Sequence, residues 1–260
     1  MIIEFLGTGT SQGVPVVGCS CSVCRSHDPR DARLRTSVLV RVGEVSLLID
    51  AGPDLRQQAL RADIQRLDAV LLTHEHMDHI AGIDELRAFN FKQRRPMTIY
   101  ANQATLEAVR RVYHYAFSEA RYPGVPELEL IRIGKEPFRV SGIEVRPIEV
   151  MHLTMPVLGF RIGGFAYITD AKTMDDDQFD RLTGVEVLVL NALRQKSHIS
   201  HLNLEEALAW IARIRPKRAF LTHISHLMGS TAELERSLPP NVTFAFDGLV
   251  LELPDPARSQ

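Results

Sequence analysis

The sequence predicts an α/β chain in which mixed β-sheets are flanked by helices. Three observations predict it. Short runs rich in Val, Ile, Leu and Phe, bounded by Gly, Pro, Asn or Asp, recur along the chain as strand signals. They outnumber the segments of helical period. Pairs of runs joined by tight turns alternate with single helices, where a purely doubly wound sheet would show stricter alternation. The chain has 260 residues, 45% hydrophobic and 24% charged, which is ordinary globular composition. At about 150 residues per domain this length makes one or two. With no fixed repeat, low-complexity tract or linker, one compact domain over 1–260 is the simplest reading.

Taken in order, strands are expected at 2–6, 36–42, 45–50, 68–72, 97–101, 143–151, 157–162, 165–169, 185–190, 218–222, 243–246 and 249–252. The segments 36–50 and 157–169 read as hairpins, turning at Val42-Gly43-Glu44 and at Gly163-Gly164. Helical patterns fall at 54–62, 103–117, 175–182, 204–214 and 231–238. The clearest is 204–214, where Leu204, Leu208, Ile211 and Ala212 share a face. Asn203 caps it, with Glu206 as the second half of a capping box. The tail from Pro254 reads as frayed.

Charge and cysteine content narrow the partners. Lys and Arg number 30 against 32 Asp and Glu, a net charge of -2. A broad electrostatic grip on a nucleic acid backbone is therefore not expected. No apolar run approaches the ~18 residues of a membrane helix, and MIIEFLGTGT lacks the basic and apolar regions of a secretory signal. The three cysteines, an odd count confined to Cys19–Cys24, make a poor disulfide framework. The expectation is a cytoplasmic protein with no membrane segment.

The most informative segment is Thr73-His74-Glu75-His76-Met77-Asp78-His79, which follows the apolar run Ala69–Leu72. Just past a strand the backbone curls, and alternate side chains can converge on one point. Imidazoles and carboxylates so concentrated suit Zn, Mn or Fe, and suit more than one ion. The same grammar recurs: Met151-His152, Thr169-Asp170 and Thr222-His223 each end an apolar strand. Ligand-bearing loops at the ends of strands on one sheet edge are a common way to build a site. A separate loop holds Cys19, Cys21 and Cys24 as C-x-C-x2-C. Three thiolates suit a tetrahedral Zn that needs a fourth ligand, for which His226 is a candidate.

H-x-H-x-D-H with a later His, Asp and His in this order resembles the metallo-β-lactamase superfamily of dinuclear hydrolases. The resemblance covers nearly the whole chain and implies a four-layer αββα sandwich with mixed β-sheets and a site at one edge. It implies His74, His76 and His152 on one divalent ion, Asp78, His79 and His223 on the other, and Asp170 bridging both. The segment Gly7–Pro15, the three cysteines, and Leu221-Thr222-His223-Ile224-Ser225-His226 narrow it further, to the PhnP-like cyclic phosphodiesterases. That family implies Cys19, Cys21, Cys24 and His226 on a structural zinc, within an N-terminal zinc-binding loop at 18–26. It implies small cyclic phosphates of ribose or nucleosides as substrates, attacked by a metal-bridging hydroxide, and often a homodimer. The catalytic pair can be Mn or Zn, with Fe also accepted.

Within this resemblance His201 matches a phosphate-contacting histidine and is expected to act as general acid or to stabilise the transition state. Asp78 is expected to orient the water as well as bind metal. His198 reads as an exposed loop histidine. Lys172, Arg194 and Lys196 are candidate phosphate contacts, and the aromatic stretch 113–126 is either a substrate lid or a core helix and turn. The competing readings are a tRNase Z-like RNA-processing nuclease, a thioester or lactam hydrolase, and a metal-stabilised binding module without turnover. No long basic Gly-rich arm for tRNA is found in the sequence.

Overall fold

The structure is a computed structural model, described here for residues 1–120 and 122–256; Arg121, inside the candidate lid, and the last four residues of the tail lie outside the described residues. Two seven-stranded sheets carry the fold among the described residues. The first contains β1 (Ile2–Gly7), β2 (Ser37–Val42), β3 (Val45–Ile49), β4 (Ala69–Leu71), β5 (Met97–Ala101), β6 (Leu128–Arg132) and β14 (Val250–Glu252), in the order β14-β1-β2-β3-β4-β5-β6. The second contains β7 (Phe138–Val140), β8 (Ile143–His152), β9 (Met155–Ile162), β10 (Phe165–Ile168), β11 (Val187–Asn191), β12 (Arg218–Thr222) and β13 (Val242–Phe244), in the order β13-β12-β11-β10-β9-β8-β7.

Each sheet is half antiparallel and half parallel. β1 to β3 form an antiparallel meander, and β3 to β6 run parallel. β7 to β10 are antiparallel, and β10 to β13 run parallel. Both expected hairpins form, with Gly43 and Gly163 at φ 55° and 56° in their turns, the left-handed region that glycine enters without steric cost.

Alternation along the strands sorts the side chains into layers. Leu47 and Ile49 join Phe5, Phe160 and Tyr167 in the core between the sheets. Leu48 and Val70 point outward, into the helical layer of α1 (Leu55–Arg61), α2 (Met77–Ile80), α3 (Arg87–Gln93) and α4 (Gln103–Val112). On the far side Ile168, Leu190 and Leu221 lie with the helical layer of α5 (Asp176–Arg181), α6 (Leu204–Ile214) and α7 (Thr231–Leu234). This is the four-layer αββα sandwich. Each fully buried Leu or Phe contributes about 1.5–3 kcal/mol, so three apolar layers make a rigid frame for a site at the edge. The capping box at Asn203 and Glu206 is present at the start of α6.

Two strands are additional to those expected. β6, at the sheet edge, has only half-buried and exposed positions, and β7 has only three residues; neither carries an apolar run long enough to signal a strand. The helix expected over 103–117 stops at Val112. Tyr113 ends it, its ring buried and its hydroxyl donating to the Ile80 carbonyl at 2.8 Å. With Tyr115 donating to Asp84 at 2.5 Å, this part of the candidate lid belongs to the core layer.

Candidate metal centre

Parallel strands deliver their carboxyl ends to one rim. Register places β3 beside β4 and β10 beside β11, with β12 next in line. The Leu158 amide in the second sheet donates to the Thr73 carbonyl in the first at 3.0 Å. The hydroxyl of Thr36 contacts those of Tyr167 and Thr222 at 3.0 and 3.2 Å, fastening the sheets together. Asp50, Asp170 and His223 leave their strands with φ of 62°, 57° and 55°. Left-handed backbone at a non-glycine residue is uncommon and concentrates at functional sites.

Six of the seven predicted dinuclear-site ligands bring donor atoms together at this rim: His74, Asp78, His79, His152, Asp170 and His223. His79 Nε2 lies 3.2 Å from Asp78 Oδ2 and 3.3 Å from Asp170 Oδ2. His223 Nε2 lies 3.5 Å from Asp78 Oδ2 and 3.4 Å from Asp170 Oδ1. Two donors about 2.0–2.2 Å from one cation, at tetrahedral or octahedral angles, stand roughly 2.9–3.5 Å apart, so these spacings fit shared coordination. On the other side of Asp170, His74 Nε2 is 3.9 Å from Oδ1. His152 and His201 bring ligand atoms to the same carboxylate. His76 is exposed, its ring 4.7 Å from that of His74 and 5.2 Å from that of His152. His201 stands against the donors themselves, Nε2 at 3.0 Å from Asp170 Oδ1.

The imidazoles are aimed by what holds their other nitrogen. His79 Nδ1 donates to Asp50 Oδ2 at 2.7 Å. His74 Nδ1 donates to Thr73 Oγ1 at 3.0 Å, and that hydroxyl donates to Asp50 Oδ2 at 2.9 Å. His152 Nδ1 donates to the carbonyls of Ser200 and Asp170 at 2.9 and 3.1 Å. Such partners fix the tautomer and leave Nε2 as the free donor atom. His74 Nε2, His79 Nε2 and both nitrogens of His223 are buried with no hydrogen-bond partner among the described residues. Buried polar atoms are normally paired, and unpaired lone pairs converging on carboxylates are what a divalent ion requires.

The charge balance agrees. Burial pushes His74 well below the usual histidine value, and burial chiefly lowers His152 and His201 as well. Burial would raise Asp170, but the imidazoles of His223, His79 and His74 hold it well below the usual carboxylate range. Burial pulls His79 down, yet Asp50, Asp170 and Asp78 outweigh it and hold it well above. A buried group of carboxylates around one ring calls for added positive charge. The residues present therefore fit divalent metal ions.

Asp50 is the site residue that sequence reasoning missed. It is fully buried and accepts from His79, Thr73 Oγ1 and the Thr73 amide, the last at 2.8 Å. Its signal was present, since a carboxylate ending the apolar run Val45–Ile49 repeats the strand-to-ligand pattern of the other loops. Gly52 was missed too: a Cβ there would stand 2.1 Å from the Asp78 carbonyl, so only glycine lets the motif pack against the β3 loop.

The thiolate loop forms a second centre. His226 Nδ1 lies 3.3, 3.4 and 3.5 Å from the sulfurs of Cys19, Cys21 and Cys24. Zn–S of ~2.3 Å and Zn–N of ~2.0–2.1 Å at tetrahedral angles give edges of about 3.5 Å, so the four donors fit a zinc. The Cys24 amide, donating to the Cys21 sulfur, and His226 beside it hold the Cys21 thiol down at about 6, while burial pushes Cys24 up to about 11. The Thr10 amide donates to the Ile224 carbonyl and the Ile224 amide to that of Thr8, at 3.1 and 2.9 Å, stitching the N-terminal segment to the loop of His223. Of the candidate phosphate contacts, Lys172 is paired to both carboxylate oxygens of Glu206, and Arg194 donates to carbonyls of its own loop.

A beta-lactamase superfamily domain profile matches residues 46–224. A Porphyromonas gingivalis protein named octanoyltransferase is 43% identical over 94% of this chain. The chain spans only 50% of that relative's length. A diphosphatase from the PhnP family superposes with a TM-score of 0.91 at 36% identity, covering 97% of this chain and 98% of that one. Zinc-bound PqqB from Methylobacterium extorquens superposes with a TM-score of 0.78 at 25% identity, covering 97% and 100%. In fold and sequence alike, the chain belongs to the beta-lactamase superfamily and has the metallo-β-lactamase fold.

Proposed function

We propose that this chain is a dinuclear metal-dependent phosphodiesterase acting on small cyclic phosphates of nucleosides or ribose. His74, His76 and His152 would hold one divalent ion, Asp78, His79 and His223 the other, and Asp170 both. When bound, such a pair acts as a Lewis acid on phosphoryl oxygens and acidifies water toward a pKa of about 7. Asp78, at the accessible edge of the cluster, accepts a hydrogen bond from the attacking water and aims it at phosphorus. His201 turns Nε2 toward the oxygen on which negative charge develops, stabilising it by donation. Cys19, Cys21, Cys24 and His226 would hold a structural zinc.

The observation that carries this reading is His201, a nitrogen donor 3.0 Å from Asp170 and beside the metal donors, where a leaving oxygen needs stabilisation. The net charge of -2 favours a small substrate over an extended nucleic acid, and among the described residues no helix is long and apolar enough to cross a membrane. The relation to the PhnP-family diphosphatase favours a second reading, hydrolysis of a diphosphate linkage at the same site.

The test is turnover by the manganese- or zinc-loaded chain, with and without chelator. The panel holds 2′,3′-cyclic nucleotides, bis(p-nitrophenyl) phosphate, a diphosphate diester, a tRNA precursor and an octanoyl thioester. Chelator-sensitive hydrolysis of the cyclic nucleotide supports the proposal. Preference for the diphosphate moves the assignment to the second reading. Hydrolysis of the thioester or the tRNA precursor alone, or no turnover of any ester, overturns both.

A further inference from the structure

The solvent side of the centre is a row of imidazole rings. Between ring centroids, His76 lies 5.2 Å from His152, His152 4.4 Å from His201, and His201 5.1 Å from His198. His198 ends the row half-buried, where its sequence context suggests an exposed loop histidine. Each of the three turns that carry these rings also leaves a large apolar side chain in solvent. Met77 follows His76 and is 52% exposed. Leu153 follows His152 and is 56% exposed, and Ile199 sits between His198 and Ser200 and is 74% exposed.

Single exposed apolar residues are ordinary on a protein surface. Three spaced along one row of site residues are not scattered, and apolar surface grouped beside a site marks ligand contact. One hydrogen bond brings Leu153 and Ile199 together. His152 Nδ1 donates to the Ser200 carbonyl at 2.9 Å, so the residue after His152 and the residue before Ser200 flank the same link. Leu153 is also out of place for a turn residue. It lies between β8 and β9 at φ 57°, where glycine, asparagine or aspartate is favoured and a bulky side chain is an outlier. Burial does not account for it, since more than half of it is in solvent, and outliers of this kind cluster at functional sites.

The charges near these turns point the same way. Lys172 is held by both carboxylate oxygens of Glu206, at 2.7 and 2.9 Å, and Arg194 donates to the carbonyls of Lys196 and Ser197 at 3.2 and 2.7 Å. Of the three candidate phosphate contacts only Lys196 is left exposed. A second phosphate beyond the reacting one needs cationic partners, whereas an uncharged group gains from apolar surface. A nucleobase is uncharged, and its flat faces stack on ring and apolar side chains whatever the base.

We propose that Met77, Leu153 and Ile199 form the surface that receives the base, so that the site selects nucleoside cyclic phosphates over bare ribose phosphates and diphosphates. This rests on the reading of the centre as a cyclic phosphodiesterase. The donor cluster would hold the reacting phosphate, and the three apolar side chains would cover one face of the base as it leaves water.

Two measurements on the full, zinc-loaded chain test this. The first compares Leu153→Asn, Ile199→Asn and the double variant with wild type, with metal counted per chain to show that the centre is intact. Asparagine tolerates left-handed backbone, and both side chains are exposed, so neither change opens a cavity. The quantity read is the ratio of kcat/KM for adenosine 2′,3′-cyclic phosphate to that for the cyclic phosphate of methyl riboside, which has no base. The ratio is expected to be about 10 to 100 in wild type and to fall about 10-fold in the double variant, through KM rather than kcat. The second measures calorimetric binding of adenosine 3′-monophosphate and ribose 3-phosphate and needs no turnover. The adenosine ligand is expected to bind about 10-fold more tightly to wild type, and the double variant to lose that margin. A ratio unchanged in the double variant, equal binding of the two ligands by wild type, or faster wild-type turnover of a diphosphate diester overturns the proposal. If the wild type hydrolyses no cyclic phosphate, the functional reading fails, while the binding comparison still decides whether this surface receives a base.

Discussion

Replacing Asp50 with asparagine isolates one physical effect. The substitution conserves shape, and asparagine tolerates left-handed backbone, so the φ of 62° is retained. What changes is hydrogen-bond polarity. Asp50 accepts from His79 Nδ1, Thr73 Oγ1 and the Thr73 amide at 2.7, 2.9 and 2.8 Å. The introduced amide oxygen can remain with the Thr73 amide, but its NH2 then faces His79 Nδ1. That ring must turn its lone pair toward the NH2 and carry its hydrogen on Nε2, directed at Asp78 and Asp170. A protonated Nε2 cannot bind a cation. Losing the group that orients a ligating histidine costs about 10- to 100-fold in metal affinity, or about 1.4–2.7 kcal/mol. Breaking a hydrogen bond to a buried charge adds roughly 1–3 kcal/mol of lost stability. Equilibrium dialysis against zinc or manganese, with metal counted per chain, reads the first quantity, and urea unfolding of the metal-free protein reads the second. Wild-type metal affinity in a folded Asp50→Asn protein would refute the view that Asp50 aims His79.

Three further outcomes follow from the same geometry. Cys21→Ser should remove about one zinc per chain and lower the thermal midpoint, because metal binding at such sites is coupled to folding; an unchanged zinc count would exclude the thiolates and His226 as a ligand set. His201→Ala should lower turnover by about 10²- to 10⁴-fold with metal content near wild type, and loss of both ions would make it a ligand instead. Phe160→Ala, fully buried between the sheets, should cost about 3–5 kcal/mol by chemical denaturation, and a cost under about 1 kcal/mol would contradict the packing described.

Much of this was legible in the sequence for a chemical reason. Histidine and aspartate at the ends of apolar runs are costly unless something binds them, so Thr73–His79, His152, Asp170 and His223 stand out against ordinary turns. The thiolate loop stands out by density, and His226 by its spacing from His223. What did not show was support. Asp50 reads as the last residue of a strand, because nothing local reveals that its carboxylate will be buried beneath His79. His198 reads as an exposed loop histidine yet is half-buried, because its neighbour is the His201 ring, 5.1 Å away between centroids, which only the folded loop brings to it. The edge strands β6 and β7 lacked the apolar alternation that marks central ones.

The left-handed residues at Asp50, Asp170 and His223 carry an evolutionary consequence. Each holds a backbone shape that glycine would adopt more cheaply, by about 1–3 kcal/mol, and each supplies a side chain the centre uses. At Asp170 and His223 backbone ease and ion binding therefore pull in opposite directions, whereas at Asp50 glycine would also forfeit the hydrogen bonds to His79 and Thr73. Any lineage that keeps the carboxylates and the imidazole at these codons reveals that it still needs them.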